Sequence, residues 1–352
     1  MRKLILVFLA VWLLLGVPLC AAPGSNLLRV HFVDVGQGDA IWIQGPAGEG
    51  SDSDVNIIID GGPHRGTDNR LLTYLAKYGV PPDSVIDYLI LTHPHEDHYP
   101  GLIDILDKYQ VKTIIDSGFP KTGPKFRKFL DAAQNEKFNG KAAEFVQLRK
   151  QPGFQMKLDG ELHAKIVTAD SAGATGLGSD NTRENNASIV VRLAYRNISF
   201  LFMGDAEGKD REETPDKSHF AEPIVLAKLN PDLHATVLKA AHHGSETGST
   251  TKLIHDVSPE VVVIMSGRKK FRTRFLPDDS VIKRFQTELP GVVVMRTDQD
   301  DEKQGLTTTN DFDGDDILAF TDGDSLEVHQ ARLSGNKRKW VKIKTISHGE
   351  ER

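Results

Sequence analysis

The chain has 352 residues, 39% of them hydrophobic and 26% charged, with 43 Lys+Arg against 49 Asp+Glu for a formal net charge of −6. Those proportions fit a globular protein of one or two domains and exclude a disordered tail, a collagen and a coiled coil. So acidic a chain is not held to nucleic acid by bulk charge, and such a role needs a local basic patch.

Arg2 and Lys3 precede an apolar run from Leu4 to Leu19, interrupted by Gly16 and Pro18 and followed by Cys20-Ala21-Ala22. A charged start, an apolar stretch and a small-residue exit predict a secretory signal peptide over 1–22, cleaved near Ala21 or Ala22. The run is shorter than the ~20 residues that span a bilayer. The expected location is therefore secreted or periplasmic, with no transmembrane partner evident. A lipid anchor through Cys20 is the alternative, disfavoured by the large Leu19 before it. Cys20 is the single cysteine, so beyond it no thiol is available, and any metal must be held by His, Asp and Glu.

Further along, Leu27–Val35, Ala40–Gln44 and Val55–Ile59 read as strands, the last ending in Asp60-Gly61-Gly62. Leu71, Leu72, Leu75 and Tyr78 at helical spacing predict a helix over Arg70–Tyr78 that stops at Gly79. Val85–Thr92 is strand-like, Gly101–Tyr109 helical, Val111–Ile115 a strand and Lys121–Glu136 a polar-faced helix. Ser171–Asn186, rich in Gly, Ser, Asp and Asn, predicts a flexible insertion. Strands follow over Ala164–Thr168, Ser188–Leu193, Ile198–Met203, Ala235–Ala240, Val261–Ser266 and Val292–Arg296. Helices are expected near Pro223–Lys228, Thr250–Val257 and Pro277–Glu288. Alternating strands and helices favour a layered α/β domain, placed over 27–345. Asp311-Phe312-Asp313-Gly314-Asp315-Asp316 lacks the spacing of a calcium loop and reads as an acidic turn. His31 lies in an apolar strand and is expected in the core, whereas His163, His219, His234, His255, His329 and His348 are expected at the surface.

Thr92-His93-Pro94-His95-Glu96-Asp97-His98 carries the chemistry: three histidines and two acids within six residues, between a buried strand and a helix. His93 and His95 alternate by two and point the same way from an extended turn. Asp97 and His98 open the helix and face a second point a few ångströms off. Imidazole and carboxylate are ligands that suit Zn²⁺, Mn²⁺ or Fe.

His93-x-His95-x-Asp97-His98 resembles the signature of the metallo-β-lactamase fold superfamily. Four further runs narrow the likeness: Asp34-Val35-Gly36-Gln37-Gly38-Asp39-Ala40, Ile59-Asp60-Gly61-Gly62, Phe202-Met203-Gly204-Asp205 and Leu238–Ser245, together with Asn185–Val190. In that order they resemble the C-terminal extracytoplasmic domain of ComEC competence proteins and its stand-alone relatives, from about residue 27 to 300. The resemblance implies a four-layer αβ/βα sandwich and two divalent ions, Zn²⁺ first and Mn²⁺ as the alternative. It implies His93 and His95 on one ion, Asp97 and His98 on the other, and Asp205 bridging both. The last histidine is His242 or His243. His242 is taken as the ligand, and His243, with Asp97, as the group that faces substrate and assists proton transfer. Asp60 corresponds to an aspartate that orients ligands from behind, or else caps a β-turn; Asp39 is a rim aspartate or a strand cap. Where many relatives carry a third histidine on the first ion, this chain has Asn185-Asn186-Ala187-Ser188, so Asn186 and Ser188 are counted beside the site. Phe275-Leu276-Pro277 stands where relatives typically have Gly-His-Pro.

Arg268, Lys269, Lys270, Arg272 and Arg274, interleaved with Phe271 and Phe275, form a dense basic stretch. It reads equally as a phosphate-gripping patch with stacking rings and as a plain exposed loop. The leading expectation is a secreted binuclear hydrolase of phosphodiesters, with single-stranded nucleic acid or another small ester as substrate. Coordination would bring the pKa of a water from 15.7 towards 7 and so generate the nucleophile. A lactam or lactone hydrolase is the second reading. A non-catalytic metal-containing module that binds DNA or envelope polymers is the third.

Overall fold

Strands whose residues are apolar on both faces must be covered on both faces, and the architecture follows from that requirement. In the computed structural model, which describes residues 26–47, 54–78, 80–82, 84–158, 160–168, 178–267, 270–271, 274–299, 301, 314–334 and 337–348, two sheets stack face to face beneath outer helices. The expected signal peptide, Arg268, Lys269, Arg272 and the start of the acidic turn lie outside the described residues.

The first half of the chain lays down β1 (Leu28–Phe32), β2 (Ala40–Ala47), β3 (Asp54–Gly61), β4 (Val85–Leu91), β5 (Gln110–Asp116), the hairpin β6 (Lys137–Phe138) and β7 (Lys141–Ala142), and β8 (Glu144–Gln147). The second half adds β9 (Leu162–Thr168), β10 (Ile189–Tyr195), β11 (Ile198–Phe202), β12 (Val237–Lys239), β13 (Val261–Ile264), the hairpin β14 (Lys270–Phe271) and β15 (Arg274–Phe275), and β16 (Val293–Arg296). The chain then returns to the first sheet with β17 (Ile317–Thr321), β18 (Ser325–Ser334) and β19 (Lys337–Ser347). The nine-stranded sheet runs β19-β18-β17-β1-β2-β3-β4-β5-β8, and the six-stranded sheet runs β16-β13-β12-β11-β10-β9.

Alternation within each strand sorts the core into three layers. Ile57 and Ile59 point between the sheets with Phe32, Phe200, Phe202 and Val263. The Phe32 and Phe202 rings, one from each sheet, are 6.1 Å apart. Ile58, Leu89 and Ile114 point the other way, against Tyr74, Leu102 and Phe129 of the helices Arg70–Lys77, Pro100–Lys108 and Pro124–Asn135. Leu201, Leu238 and Val262 meet Val225, Ile254 and Phe285 of the helices Ala221–Leu229, Thr251–Val257 and Asp279–Glu288. The expected four-layer αβ/βα arrangement is the one observed. His31 is in the core as expected, stacked 4.3 Å from Trp42, with burial pushing its pKa down to about 3.

Three expectations change. Asp180–Asn186, expected to be part of a flexible insertion, is a helix whose Ser179 cap accepts a hydrogen bond from Thr182 N. β8 and the strands β17–β19 carry no clear period-2 signature and were not anticipated. His329 is buried rather than exposed, because β18 lies inside the sheet between β17 and β19, and its ring stacks on Phe320 at 5.2 Å. No helix among the described residues is long and apolar enough to cross a membrane.

Candidate metal centre

β3, β4 and β5 run parallel in one sheet, and β11, β12 and β13 run parallel in the other. Asp60 stands at the end of β3, and the segments that follow β4, β11 and β12 carry His93–His98, Asp205 and His242–His243. The close approach of these segments needs glycine. A Cβ on Gly101 would sit 1.9 Å from Gly61 O, and one on Gly38, at φ +141°, would sit 2.3 Å from Asp97 O.

The side chains converge on one atom. Asp205 Oδ2 lies 3.7 Å from His93 Nε2, 3.5 Å from His98 Nε2 and 3.1 Å from His243 Nε2. Asp97 closes the far side, with Oδ1 3.8 Å from His98 Nε2 and Oδ2 3.4 Å from His243 Nε2. Two donor sets result, His93–His98–Asp205 and Asp97–His98–His243, each with its ligand atoms within 4.8 Å of one another. His95 stands beside the first set with Nδ1 3.0 Å from His93 Nε2, but its Nε2 is turned to Glu184 Oε2 at 2.9 Å.

Partners behind the imidazoles decide which nitrogen is offered. Asp60 Oδ2 lies 2.8 Å from His98 Nδ1, and Met265 O lies 2.9 Å from His243 Nδ1. Each acceptor holds a proton on Nδ1, so that Nε2 is the nitrogen presented to Asp205 and the one that would become the ligand atom once a cation displaces its proton. Burying polar atoms without partners is costly, yet His98 Nε2, His243 Nε2 and Asp205 Oδ1 are buried with no hydrogen-bond partner. Imidazole nitrogens gathered around one carboxylate oxygen, Asp205 Oδ2, are a donor set that fits a divalent cation.

Charge gives the same answer. Asp39, Asp60, Asp97 and Asp205 crowd this region, and among the described residues the ammonium set between them is the buried Lys239. Lys239 pairs with Asp39 and donates to Gly204 O at 3.0 Å. Burial alone would push the imidazoles of His98 and His243 down, but Asp205 and the other carboxylates outweigh it and hold both well above the ordinary range. Burial likewise opposes the ionised form of Asp205, yet the facing imidazoles of His243 and His98 hold its carboxyl well below the usual range. The surplus of carboxylate is the electrostatic environment that divalent ions neutralise.

The geometry reverses the expected assignment of the last two histidines. His243 points into the cluster, whereas His242 turns away, with Nδ1 2.9 Å from Thr247 Oγ1 and 3.2 Å from Glu207 Oε1. The reason is the backbone: His242 (φ 47°) and His243 (φ 52°) are both left-handed, so successive side chains leave the turn in different directions. Such residues cost about 1–3 kcal/mol each and cluster at functional sites. Asp60 is a third, at φ 57°.

Of the other expected residues, Asp39 lies inside the cluster with Oδ1 3.3 Å from His243 Nδ1. Asp60 holds Thr92 as well as His98, accepting from its N at 2.8 Å and its Oγ1 at 2.7 Å. Asn186 Oδ1 accepts from Glu207 N at 2.9 Å, and Ser188 Oγ lies 3.3 Å from His93 Nδ1 while accepting from Asp205 N at 3.0 Å. Both therefore brace the cluster from behind. Lys270 is exposed on the β14–β15 hairpin, whose Phe271, Arg274 and Phe275 line a cleft of about 1010 Å³. Asp97, Asp205 and His243 form part of the same cleft wall. Four residues escaped the sequence reading: Glu184, Glu207, Lys239 and Gln37. Lys239 and Gln37 lie inside the quoted motifs, but only folding shows that Lys239 meets Asp39 and that Gln37 lines the cleft with its Nε2 unpartnered among the described residues.

Known proteins resemble this chain in sequence and in fold. The model of the Metallo-beta-lactamase superfamily matches residues 33–268. ComE operon protein 3 of Bacillus subtilis is 25% identical over 287 residues, covering 77% of this chain and 32% of that protein. Recombination protein 2 of Haemophilus influenzae is 28% identical over 240 residues, covering 68% of this chain and 24% of that protein. This chain thus spans about a third or less of these relatives. Among solved structures, the Rm3 metallo-beta-lactamase is similar at a TM-score of 0.37 and 13% identity, covering 69% of this chain and 94% of that one.

Proposed function

This chain belongs to the metallo-beta-lactamase superfamily, and from that premise we propose that it is an exported, binuclear metal-dependent phosphodiesterase. The observation that carries the reading is the convergence of three imidazole Nε2 atoms on Asp205 Oδ2, between two donor sets. His93, His98 and Asp205 would hold one ion, with His95 beside it. Asp97, His98, His243 and Asp205 would hold the other. Two divalent ions held there would supply an acidified water and polarise the scissile oxygen.

The chain's own groups do the rest. Asp60 and the Met265 carbonyl keep protons on the Nδ1 atoms of His98 and His243. Gln37, its Oε1 held by Ser266 Oγ at 3.3 Å, is buried and supports the cleft wall. Arg211 is aimed by Asp278 (2.8 Å) and Ser245 Oγ (2.9 Å), and lines the same cleft as Arg274 and Lys121. Cations of this kind, with the Phe271 ring beside them, suit a phosphodiester with an attached base better than a neutral lactam. Residues 1–22 read as an export signal, which favours an envelope or extracellular role.

The deciding experiment compares bis(p-nitrophenyl) phosphate, a single-stranded oligonucleotide and a lactam, each with Zn²⁺ or Mn²⁺ and with chelator. Chelator-sensitive cleavage of the two diesters supports the reading. Lactam turnover alone moves it to carbonyl chemistry, and metal binding without any turnover moves it to a binding module.

A further inference from the structure

We infer that the β18–β19 hairpin is a docking ledge for the phosphate backbone of a polymeric substrate, outside the cleft itself. Arg332 on β18 stands directly opposite Lys339 on β19, and Ser334 opposite Lys337. Directly paired residues share a face, and so do residues two apart on one strand. Arg332, Lys337 and Lys339 therefore form one exposed cationic triangle.

Like charges directly opposite are destabilising, and none of the three has an acidic partner among the described residues. Arg332 Nη2 donates to Gln330 Oε1 at 3.4 Å, and no carboxylate approaches. Lysines on an edge strand commonly guard it against pairing with other chains. That accounts for Lys337 and Lys339, since β19 is the sheet edge. Arg332 lies on β18 beyond Gln330, where the pairing with β17 ends, so its cation joins those of the edge strand on the exposed end of the hairpin.

An anionic polymer removes the repulsion. Lys337 and Lys339 repeat at about 6.7 Å, two strand residues, a spacing that successive phosphates of an extended single strand can follow. The placement is also right. Arg338, between the two lysines, pairs with Asp315, whose N donates to Asp34 Oδ2 at 3.2 Å. Asp34 Oδ1 in turn accepts from Gly36 N at 3.0 Å, next to Gln37 in the cleft wall. The ledge thus lies at the cleft end of the sandwich. This inference rests on the phosphodiesterase reading and specifies its substrate as a polymer longer than the cleft.

The test uses the full chain carrying Arg332→Ser, Lys337→Ser and Lys339→Ser. Anisotropy of a labelled 20-mer of thymidylate, with and without metal, should show binding weakened about tenfold. Its logarithmic salt slope should be shallower by about 2, at ~0.7 per lost phosphate contact. Kinetics on bis(p-nitrophenyl) phosphate should be unchanged, which also shows that the variant is folded. Equal affinity and an unaltered salt slope would overturn the ledge. Lost binding to phosphatidylglycerol vesicles with oligonucleotide binding intact would overturn it in favour of a lipid surface. Binding is read without turnover. If neither diester is cleaved, the phosphodiesterase reading fails while the ledge is still judged on affinity.

Discussion

Asp60 and His98 form a fully buried pair, with Asp60 Oδ2 2.8 Å from His98 Nδ1, and the same carboxyl accepts both the backbone and the hydroxyl of Thr92. One carboxylate thereby orients a ligand and anchors the start of the ligand loop. An amide in its place retains one accepting oxygen and turns an NH2 towards a group that must itself donate. Asp60→Asn should keep the fold, since asparagine tolerates the left-handed backbone, and should weaken metal affinity 10–100-fold. Competition with a coloured chelator measures the affinity, and circular dichroism monitors the fold.

His242 and His243 are separated by the same logic. Elemental analysis of metal-loaded protein should approach two ions per chain. His243→Ala should fall towards one, His242→Ala should stay near two, and Asp205→Ala should weaken both sites, since Oδ2 is common to the histidines of both sets. Loss of metal in His242→Ala with retention in His243→Ala would reverse the assignment.

Lys239 is an ammonium with no exposed surface, paired with Asp39. Removing one partner of a buried pair strands the other, at a cost of 3–5 kcal/mol. Lys239→Met should therefore lower the unfolding free energy by about that amount, measured in denaturant on metal-free protein. Lys239→Met with Asp39→Asn should recover part of the loss.

Glu222 supplies a pH signature away from the metal cluster. Burial pushes its carboxyl up to about 7, against the hydrogen bonds that Thr250 and Ser249 donate to it. A carboxyl raised on folding contributes stability that is fully present below its unfolded value near 4.5 and is lost as pH rises through the folded value. At 1.36 kcal/mol per unit the swing is roughly 3 kcal/mol. Wild type should lose stability relative to Glu222→Gln between about pH 4.5 and 8, as followed by urea midpoints. Parallel profiles would show that the carboxyl titrates normally.

Much of this was legible in the residues. The His93–His98 run betrays itself because ligand types are dense between an apolar strand and a helix, and buried parallel strands such as Val85–Leu91 announce themselves by unbroken hydrophobicity. What stayed hidden depends on direction and distance. No local pattern tells that two successive left-handed residues send His243 inward and His242 outward, or that Glu184 meets His95 from 89 positions away. The helix Asp180–Asn186 was missed because Asn, Asp and Gly favour turns locally, and its Ser179 cap and its packing beside the cluster override that preference. β19 was missed because its lysine-rich, half-exposed residues lack the clean alternation of a one-sided strand, and β18 because the buried run Val328–Ala331 breaks alternation where the register shifts.

The return of the chain to its first sheet sets a clock. β1 pairs on one side with β17, and Asp34, at the head of the loop that carries Asp39, is tied to Asp316 across 282 positions. Closing contacts between such remote residues is slow. The loop that completes the metal cluster therefore cannot lock until residues beyond 316 have been synthesised and released. A chain threaded outward from its N-terminus would thus cross before Asp39 and the loop around it are tied down.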